Sequence, residues 1–255
     1  MENKLIYEQP LNERIRTFMR LEHLFQQAAY SLRGFSVWES RTTVACLIDI
    51  LEILSRGDLK TEMFKELDRQ YLALSALGNL PGVDKQQLNN ILQQLSHAQQ
   101  TLHSYSGQLG QPFRDNELLN SLRQRSSITC GCCSFDLPGY HFWLQQIPET
   151  RIDQLEQWYD SLSVVEKPIT LMLGILREGA DSRPMTSERG FYQQNLDSNT
   201  PVQMLRISLP ANSNYFPEVS AGKHRFSIRF LEHQAVGRPA QTQEDVEFGL
   251  WCCSL

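Results

Sequence analysis

The chain has 255 residues, of which 41% are apolar and 21% are charged, a composition typical of a folded globular protein and unlike that of a disordered one. Its formal net charge of −5 argues against a dedicated nucleic-acid-binding protein, because that role usually requires a basic excess. The N-terminal segment MENKLIYEQPLNERIRTFMR lacks the apolar core of a signal peptide, and no stretch has the length and apolarity of a membrane span, so we predict a cytoplasmic protein.

The first 125 residues have the apolar periodicity of helices. Apolar side chains recur at steps of three and four residues, which is the spacing of one buried helix face. Asp58 and Asp84 are the predicted N-caps of the third and fourth helices, and Gly57 is the predicted end of the second. The periodic segments are Leu11–Phe25, Val44–Leu54, Leu59–Leu74, Leu88–Leu102 and Leu118–Leu122.

Residues Ser126–Gln145 interrupt this helical pattern. Their sequence, SSITCGCCSFDLPGYHFWLQ, has small, β-branched and aromatic residues around a Leu-Pro-Gly turn signal, which predicts two strands joined by a turn. Helical periodicity returns over Arg151–Gly179, where Thr150 is the predicted N-cap. Because proline lacks an amide proton, we expect Pro168 to kink or divide this helical segment.

The rest of the chain is rich in turn residues and in strand-like alternation. In Phe226–Phe230, for example, apolar and polar residues alternate, as in a sheet with one buried and one wet face. The predicted strands are Gly190–Gln193, Gln203–Leu209, Arg225–Leu231 and Val246–Cys252. We therefore predict an α+β fold in which a helical domain, residues 1–125 and 150–179, packs beside an antiparallel β-rich domain, residues 126–149 and 180–255.

A zinc or thiol site is one interpretation of the cysteines Cys130, Cys132 and Cys133 together with His141. Their spacing does not give the paired C-x2-C pattern of familiar zinc sites, and adjacent strand residues would point to opposite faces of a sheet. P-loop, GxGxxG, HExxH and GxSxG motifs do not occur. We predict reduced thiols and a protein that is not an enzyme and needs no metal and no cofactor; a thiol- or zinc-dependent protein using Cys132 and Cys133 is the alternative.

Basic residues concentrate in a few places despite the negative net charge. The segment AGKHRFSIRF contains Lys223, Arg225 and Arg229, whose odd-numbered spacing is in step with one face of a sheet. One interpretation is a solvated sheet face that discourages edge pairing. The other is a basic pocket for an acidic peptide, whose carboxylates pair with guanidinium groups. A nucleic-acid groove on this strand is a third, weaker interpretation, because the net charge opposes it.

Three segments are distinctive in combination. They are YEQPLNERIRTFMRLEHLF near the start, LRQRSSITCGCCSFDLPGYHFWL in the middle, and SAGKHRFSIRF, preceded by GFYQQN, near the end. The segments ILSRGDLKTEMFKELDRQ and LPGVD fit the same pattern. Together they resemble the ZapD family, the FtsZ-associated protein D of bacterial cell division, over nearly the whole chain and in the same order.

The resemblance implies a homodimer that binds the C-terminal tail of FtsZ and crosslinks FtsZ filaments at the midcell division ring. It implies no catalysis and no cofactor, and we expect neither a membrane nor a nucleic acid as partner. Carried over residue by residue, the implied partner-binding residues are Arg20, Arg56, His141, Arg225 and Arg229, with Lys223 on the same basic strand.

The sequence departs from the family pattern at one position. Glu117, within PFRDNELL, stands where the family carries an arginine. Either Arg114 covers that role or the pocket differs in this chain, so no site is carried over there.

Overall fold

A computed structural model describes residues 4–55, 57–78, 80–125, 128–197, 200–222, 224–234 and 236–255. The chain divides into two compact units. One, called here the β unit, consists of Met1–Arg16 and Leu173–Leu255, and the other, the helical unit, consists of Thr17–Met172. The described residues contain nine helices and eight strands, and all strand pairs among them are antiparallel, which confirms the predicted α+β class.

The helices and strands have the following bounds. The helices are α1 Glu13–Leu32, α2 Val37–Ser55, α3 Leu59–Leu77, α4 Lys85–Ser104, α5 Gln111–Arg114, α6 Glu117–Arg125, α7 Pro138–Leu144, α8 Pro148–Asp160 and α9 Ser163–Glu178. The strands are β1 Lys4–Pro10, β2 Arg183–Ser187, β3 Phe191–Asn195, β4 Met204–Pro210, β5 Tyr215–Ala221, β6 Arg225–Glu232, β7 Ala240–Gln241 and β8 Val246–Cys253. Within the described ranges, none of the helices combines the length and the apolarity needed to cross a membrane.

The predicted N-caps of α3 and α4 are confirmed. The Asp58 carboxylate accepts a hydrogen bond from the Thr61 amide at 3.1 Å, and Asp84 Oδ1 accepts from the amides of Gln86 and Gln87 at 2.9 and 3.0 Å. These contacts satisfy amides that have no partner within the first turn of a helix. The buried apolar side chains of the two helices, among them Met63, Leu67, Leu95 and Leu102, contribute to the core of the helical unit.

The prediction of two strands within Ser126–Gln145 is wrong. Residues 128–137 form a series of turns, and Pro138–Leu144 is the helix α7. Pro138 occupies the first turn, where a missing amide proton leaves no extra unsatisfied group, and Tyr140, Trp143 and Leu144 are buried at helical spacing. The high aromatic content of this segment favours a strand by propensity, but the packing of those side chains selects a helix.

The segment that follows is divided at a different place from the one expected. Helix α8 begins at Pro148, so the predicted cap Thr150 lies inside it, and the break before α9 falls at Ser161 and Leu162. Pro168 lies inside α9 near its N-terminus. The missing amide proton of Pro168 removes one hydrogen bond from the helix, and the helix continues to Glu178.

The β unit contains two sheets. The strand order in the first is β1-β4-β8-β2, and in the second it is β3-β6-β5, with β7 also paired to β6. The four predicted strands correspond to β3, β4, β6 and β8 and are confirmed, whereas β1, β2, β5 and β7 were not predicted. In this division residues 128–149 belong to the helical unit, and β1 belongs to the β unit.

Aromatic and aliphatic side chains from both sheets form one core. The ring of Phe248 on β8 lies 4.9 Å from that of Phe230 on β6 and 5.3 Å from that of Tyr192 on β3, measured between centroids. The buried members of the core are Leu205, Ile207, Leu209, Phe226, Ile228, Phe230, Val246, Phe248 and Leu250. The two sheets therefore stack as a sandwich, and the alternate residues of each strand face outward.

Candidate functional site

The exposed face of β6 carries two of the predicted site residues. Phe226, Ile228 and Phe230 of this strand are buried in the sandwich, so Arg225, Ser227 and Arg229 project from the opposite face. We call these three residues the β6 arginine face. Arg225 and Arg229 are both exposed there, which agrees with the prediction that they share one face of a strand.

The two arginines of this face have different neighbours. Arg229 lies opposite Glu218 on β5, and the two side chains form an ion pair in which both are about half exposed, at 55% and 53%. Arg225 lies opposite Asn195 on β3 and forms no ion pair or side-chain hydrogen bond with any residue that the structure describes. Arg225 is therefore the guanidinium more available to an external carboxylate.

Two of the predicted site residues fall in gaps between the described ranges. Lys223, near the start of β6, and Arg56, directly after α2, lie outside the described residues. Their assignment to the site stays a prediction.

Arg20 lies on the exposed side of α1 within the helical unit. Its neighbours Phe18, Leu21 and Phe25 are buried, so the periodicity that builds the core also turns Arg20 toward solvent. Within the described part of the chain its guanidinium has no ion-pair or hydrogen-bond partner.

His141 also belongs to the helical unit and lies in α7. The inner face of this helix is fixed by Trp143, whose ring stacks between those of Tyr140 and Trp158 at 5.8 Å from each and whose Nε1 donates to Gln154 Oε1 at 2.5 Å. Burial raises the pKa of the Tyr140 hydroxyl to about 12, so it stays protonated near neutral pH. With that inner face packed, the His141 side chain points to solvent.

The described site residues divide equally between the two units. Arg20 and His141 belong to the helical unit, and Arg225 and Arg229 belong to the β unit. That all of them serve one partner stays a prediction.

Arg114 lies close in the chain to Glu117, the position at which the sequence departs from the family pattern. Glu117 is exposed in the first turn of α6. Arg114, the last residue of α5, is partly buried, and its Nη2 atom lies 3.4 Å from the Ser55 hydroxyl at the end of α2. That Arg114 takes the role of the family arginine stays a prediction.

The cysteines singled out by the sequence lie in turns and not in a strand. Cys130 is exposed, Cys132 and Cys133 are partly buried, and the described residues contain no group of three His, Cys, Asp or Glu side chains suited to a metal ion. Cys132 Sγ accepts a hydrogen bond from Nη1 of Arg41 at 3.3 Å. Both residues line a cavity of about 400 Å³ that Tyr140 and Asp49 also border.

Arg41 is a residue that the sequence reasoning missed. Its guanidinium lies 5.6 Å from the ring centroid of Trp38 and 5.3 Å from that of Tyr140, so it is held by two aromatic faces as well as by Cys132. Trp38 precedes Arg41 by one helical turn, and this spacing was the only local signal of the contact.

Comparison with known proteins gives a consistent result. The family model described as the cell division protein ZapD matches residues 19–229. The cell division protein ZapD of Methylococcus capsulatus is 44% identical over 255 residues, with all of both chains covered. The protein of that name from an Escherichia coli O7:K1 strain is 37% identical over 254 residues, covering 99% of this chain and 100% of its own, and that of Aromatoleum aromaticum is 36% identical over 249 residues, covering 98% and 97%.

The match to the family model includes Arg20, His141, Arg225 and Arg229, and the relatives align over essentially their full length. The chain therefore belongs to the ZapD family of cell division proteins and has a role in cell division.

Proposed function

We propose that this protein is a non-enzymatic adaptor that binds the C-terminal tail of FtsZ and, as a homodimer, crosslinks FtsZ filaments at the division ring. The proposal rests on the family membership and on one structural observation, the exposed guanidinium of Arg225, which is unpaired among the described residues. A carboxylate-bearing peptide is the natural ligand of such a group, because guanidinium and carboxylate form charge-assisted hydrogen bonds.

The β6 arginine face suits a short extended peptide. Arg225 and Arg229 are separated by Ser227 on the same face of one strand, so their side chains repeat at intervals that an extended peptide also has. Arg20 and His141 add an exposed cation and an exposed imidazole from the helical unit. We assign all four residues to tail binding, and Lys223 and Arg56 with them.

Dimerisation would convert weak tail binding into filament crosslinking. A disordered tail loses conformational entropy when it binds, so the affinity of one site is expected to be modest. A homodimer presents two sites and a filament presents many tails, so the second contact becomes intramolecular and avidity exceeds single-site affinity by roughly 100-fold or more. No catalytic step and no cofactor is required for this activity.

Titration of a fluorescently labelled FtsZ C-terminal tail peptide, followed by anisotropy, tests the proposal. We expect saturable binding that Arg225→Glu abolishes while the dimer, measured by light scattering, stays intact. The matched control is Arg238→Glu, because Arg238 is an exposed arginine in the loop that follows β6, at the opposite end of the strand from Arg225. The same charge change there should leave the affinity unchanged.

The outcomes separate the possible partners. Binding that is equal in the wild-type protein and in Arg225→Glu removes the β6 arginine face from the tail site. The absence of binding both to the peptide and to intact filaments contradicts the adaptor proposal. If a nucleic acid binds and the tail peptide does not compete with it, the basic strand serves a different partner. Competition is needed for this test because binding to an acidic peptide and binding to a nucleic acid both weaken as salt increases.

A further inference from the structure

The segment Cys130–Cys133 places three thiols within four residues, and the sequence and the proposed function leave them without a role. Cys130 and Cys133 are the first and fourth residues of a turn closed by a hydrogen bond from the Cys133 amide to the Cys130 carbonyl at 3.2 Å. A turn of this kind brings its first and fourth Cα atoms within about 7 Å, and disulfides span Cα separations of about 4.4–6.8 Å. The backbone therefore sets the Cα atoms of Cys130 and Cys133 at a separation that a disulfide can span.

The turn is held in place by its surroundings. A Cβ atom on Gly131 would lie 2.8 Å from Ile128 Cβ and 3.0 Å from the Arg125 carbonyl oxygen, so this position is packed closely and suits only glycine. An ion pair between Arg125 and Asp136, at 3.4 Å, joins the two ends of the segment. Cys130 adopts a φ of 58°, a left-handed conformation that is uncommon for a residue with a side chain.

The other two possible pairings are less favourable. Cys132 and Cys133 are adjacent, and Cα atoms across a trans peptide lie about 3.8 Å apart, below the usual range for a disulfide. Cys132 is also engaged by Nη1 of Arg41, at 3.3 Å from Sγ, and this contact directs its sulfur toward α2. Cys130 is exposed and Cys133 is partly buried, so a reagent in solvent reaches the pair.

We propose that Cys130 and Cys133 are a redox modification site, at which a reversible intramolecular disulfide forms by exchange with a low-molecular-weight disulfide such as glutathione disulfide. The sulfur of one cysteine attacks glutathione disulfide and releases one glutathione, which leaves a mixed disulfide. The sulfur of the second cysteine then attacks the protein sulfur of that mixed disulfide and releases the second glutathione. Two protein thiols are oxidised, one glutathione disulfide is reduced, and the two thiol protons pass to the two glutathione molecules.

Differential alkylation of the full-length wild-type protein tests this proposal without any substitution. The reduced protein is incubated with glutathione disulfide, quenched in acid, alkylated under denaturing conditions and digested with trypsin. The three thiols fall in the peptide of residues 126–151, because Arg125 precedes it and Arg151 ends it. We expect this peptide to lose the mass of two hydrogen atoms and to carry a single alkyl group, on Cys132.

Three variants and a chemical probe complete the experiment. Cys132→Ser is the matched control and should form the disulfide as the wild-type protein does, whereas Cys130→Ser and Cys133→Ser should not. Phenylarsine oxide, which bridges two neighbouring thiols, should bind the reduced wild-type protein and Cys132→Ser about tenfold or more tightly than either of the other variants. Full alkylation of the peptide, a persistent mixed disulfide with glutathione, or a bond that includes Cys132 would overturn the proposal.

Discussion

Glu218 on β5 lies directly opposite Arg229 on β6, and the two side chains form an ion pair on the outer face of the second sheet. Arg225 precedes Arg229 on the same face of β6, with Ser227 between them, and has no such partner among the described residues. The sheet therefore presents one arginine already paired with a carboxylate and one that is open to solvent. An acidic ligand that binds Arg229 therefore competes with Glu218 for this guanidinium.

Removing the carboxylate of Glu218 should strengthen tail binding. The Glu218–Arg229 ion pair is exposed to solvent, so breaking it costs at most about 1 kcal/mol of free energy. Because the tail no longer bears this cost in Glu218→Gln, the affinity for the FtsZ tail peptide should rise up to about fivefold. Anisotropy titration at low ionic strength measures this change. Glu247→Gln on β8 removes the same charge from an exposed position in the other sheet and should have no effect. An unchanged affinity in Glu218→Gln would contradict competition between Glu218 and the tail for Arg229.

The contribution of His141 can be measured without disturbing α7. Its side chain is exposed whereas the inner face of the helix is packed, so His141→Ala should preserve the fold. If His141 donates a hydrogen bond to a tail carboxylate, the substitution should weaken binding of the peptide roughly tenfold. His97→Ala, at an exposed position on α4, is the matched control. Equal affinities for the two variants would exclude His141 from the tail site.

Arg151 is expected to be the most sensitive arginine of the helical unit. It is 3% exposed, and its guanidinium donates to the carbonyl oxygens of Phe35, Leu144 and Gln146 and to the Ser40 hydroxyl, at 2.5 to 3.2 Å. Arg151→Ala leaves these buried and partly buried acceptors without that donor, which should lower the free energy of unfolding by about 3 kcal/mol. Urea unfolding followed by tryptophan fluorescence measures the loss.

Two companions to Arg151→Ala make that measurement specific. Arg33→Ala removes an exposed arginine and should change the free energy of unfolding by less than about 0.5 kcal/mol. Arg151→Lys keeps the charge, but a single ammonium group does not reach four acceptors, so it should recover only part of the lost stability. Wild-type stability in Arg151→Lys would show that charge, and not the pattern of hydrogen bonds, is what this position requires.

Thiol reactivity should follow burial and pH. Burial, together with the charge of Asp49, raises the pKa of the Cys46 thiol to about 11, and burial raises that of Cys253 to about 11. The thiolate is the reactive form, so at pH 8 only about one in a thousand of these groups is reactive, and the fraction increases as the pH approaches 11. Iodoacetamide at pH 8 should modify the exposed Cys130 quickly and Cys46 and Cys253 slowly.

The denatured protein provides the control for this experiment. In urea, all six cysteines should react at similar rates, because burial no longer makes their accessibility or their thiol pKa differ. Native Cys46 reacting as fast as native Cys130 would contradict the packing of α2. Raising the pH from 8 to 10 should accelerate the two slow thiols if they are limited by ionisation, and have little effect on them if access alone is limiting.

Local signals allowed several elements to be predicted from the sequence. Asp58 and Asp84 cap helices through contacts to amides within three residues, so both are visible in the order of residues along the chain. The alternation in β4, β6 and β8 is visible for the same reason, because each of these strands has one face in the sandwich core. In β6 this alternation also predicted correctly that Arg225 and Arg229 share the exposed face.

Contacts between distant residues account for what the sequence did not reveal. Strand β1 pairs with β4, from Lys4 opposite Pro210 to Pro10 opposite Met204, and nothing near the N-terminus indicates that partner. Helix α7 was interpreted as a strand because its aromatic residues favour one, although Tyr140, Trp143 and Leu144 already have helical spacing. The contact between Arg41 and Cys132 joins α2 to a distant turn and had no counterpart in any sequence motif.

The interleaved division of the chain has a consequence for its biosynthesis. The helical unit is one continuous segment, Thr17–Met172, whereas the β unit joins Met1–Arg16 to Leu173–Leu255. As the ribosome works from the N-terminus, the helical segment emerges whole and can fold while the later strands are still untranslated. Strand β1 is synthesised before the helical unit, but it stays unpaired until its partner β4 leaves the ribosome. During that interval the open edge of β1 can pair with a strand of another chain.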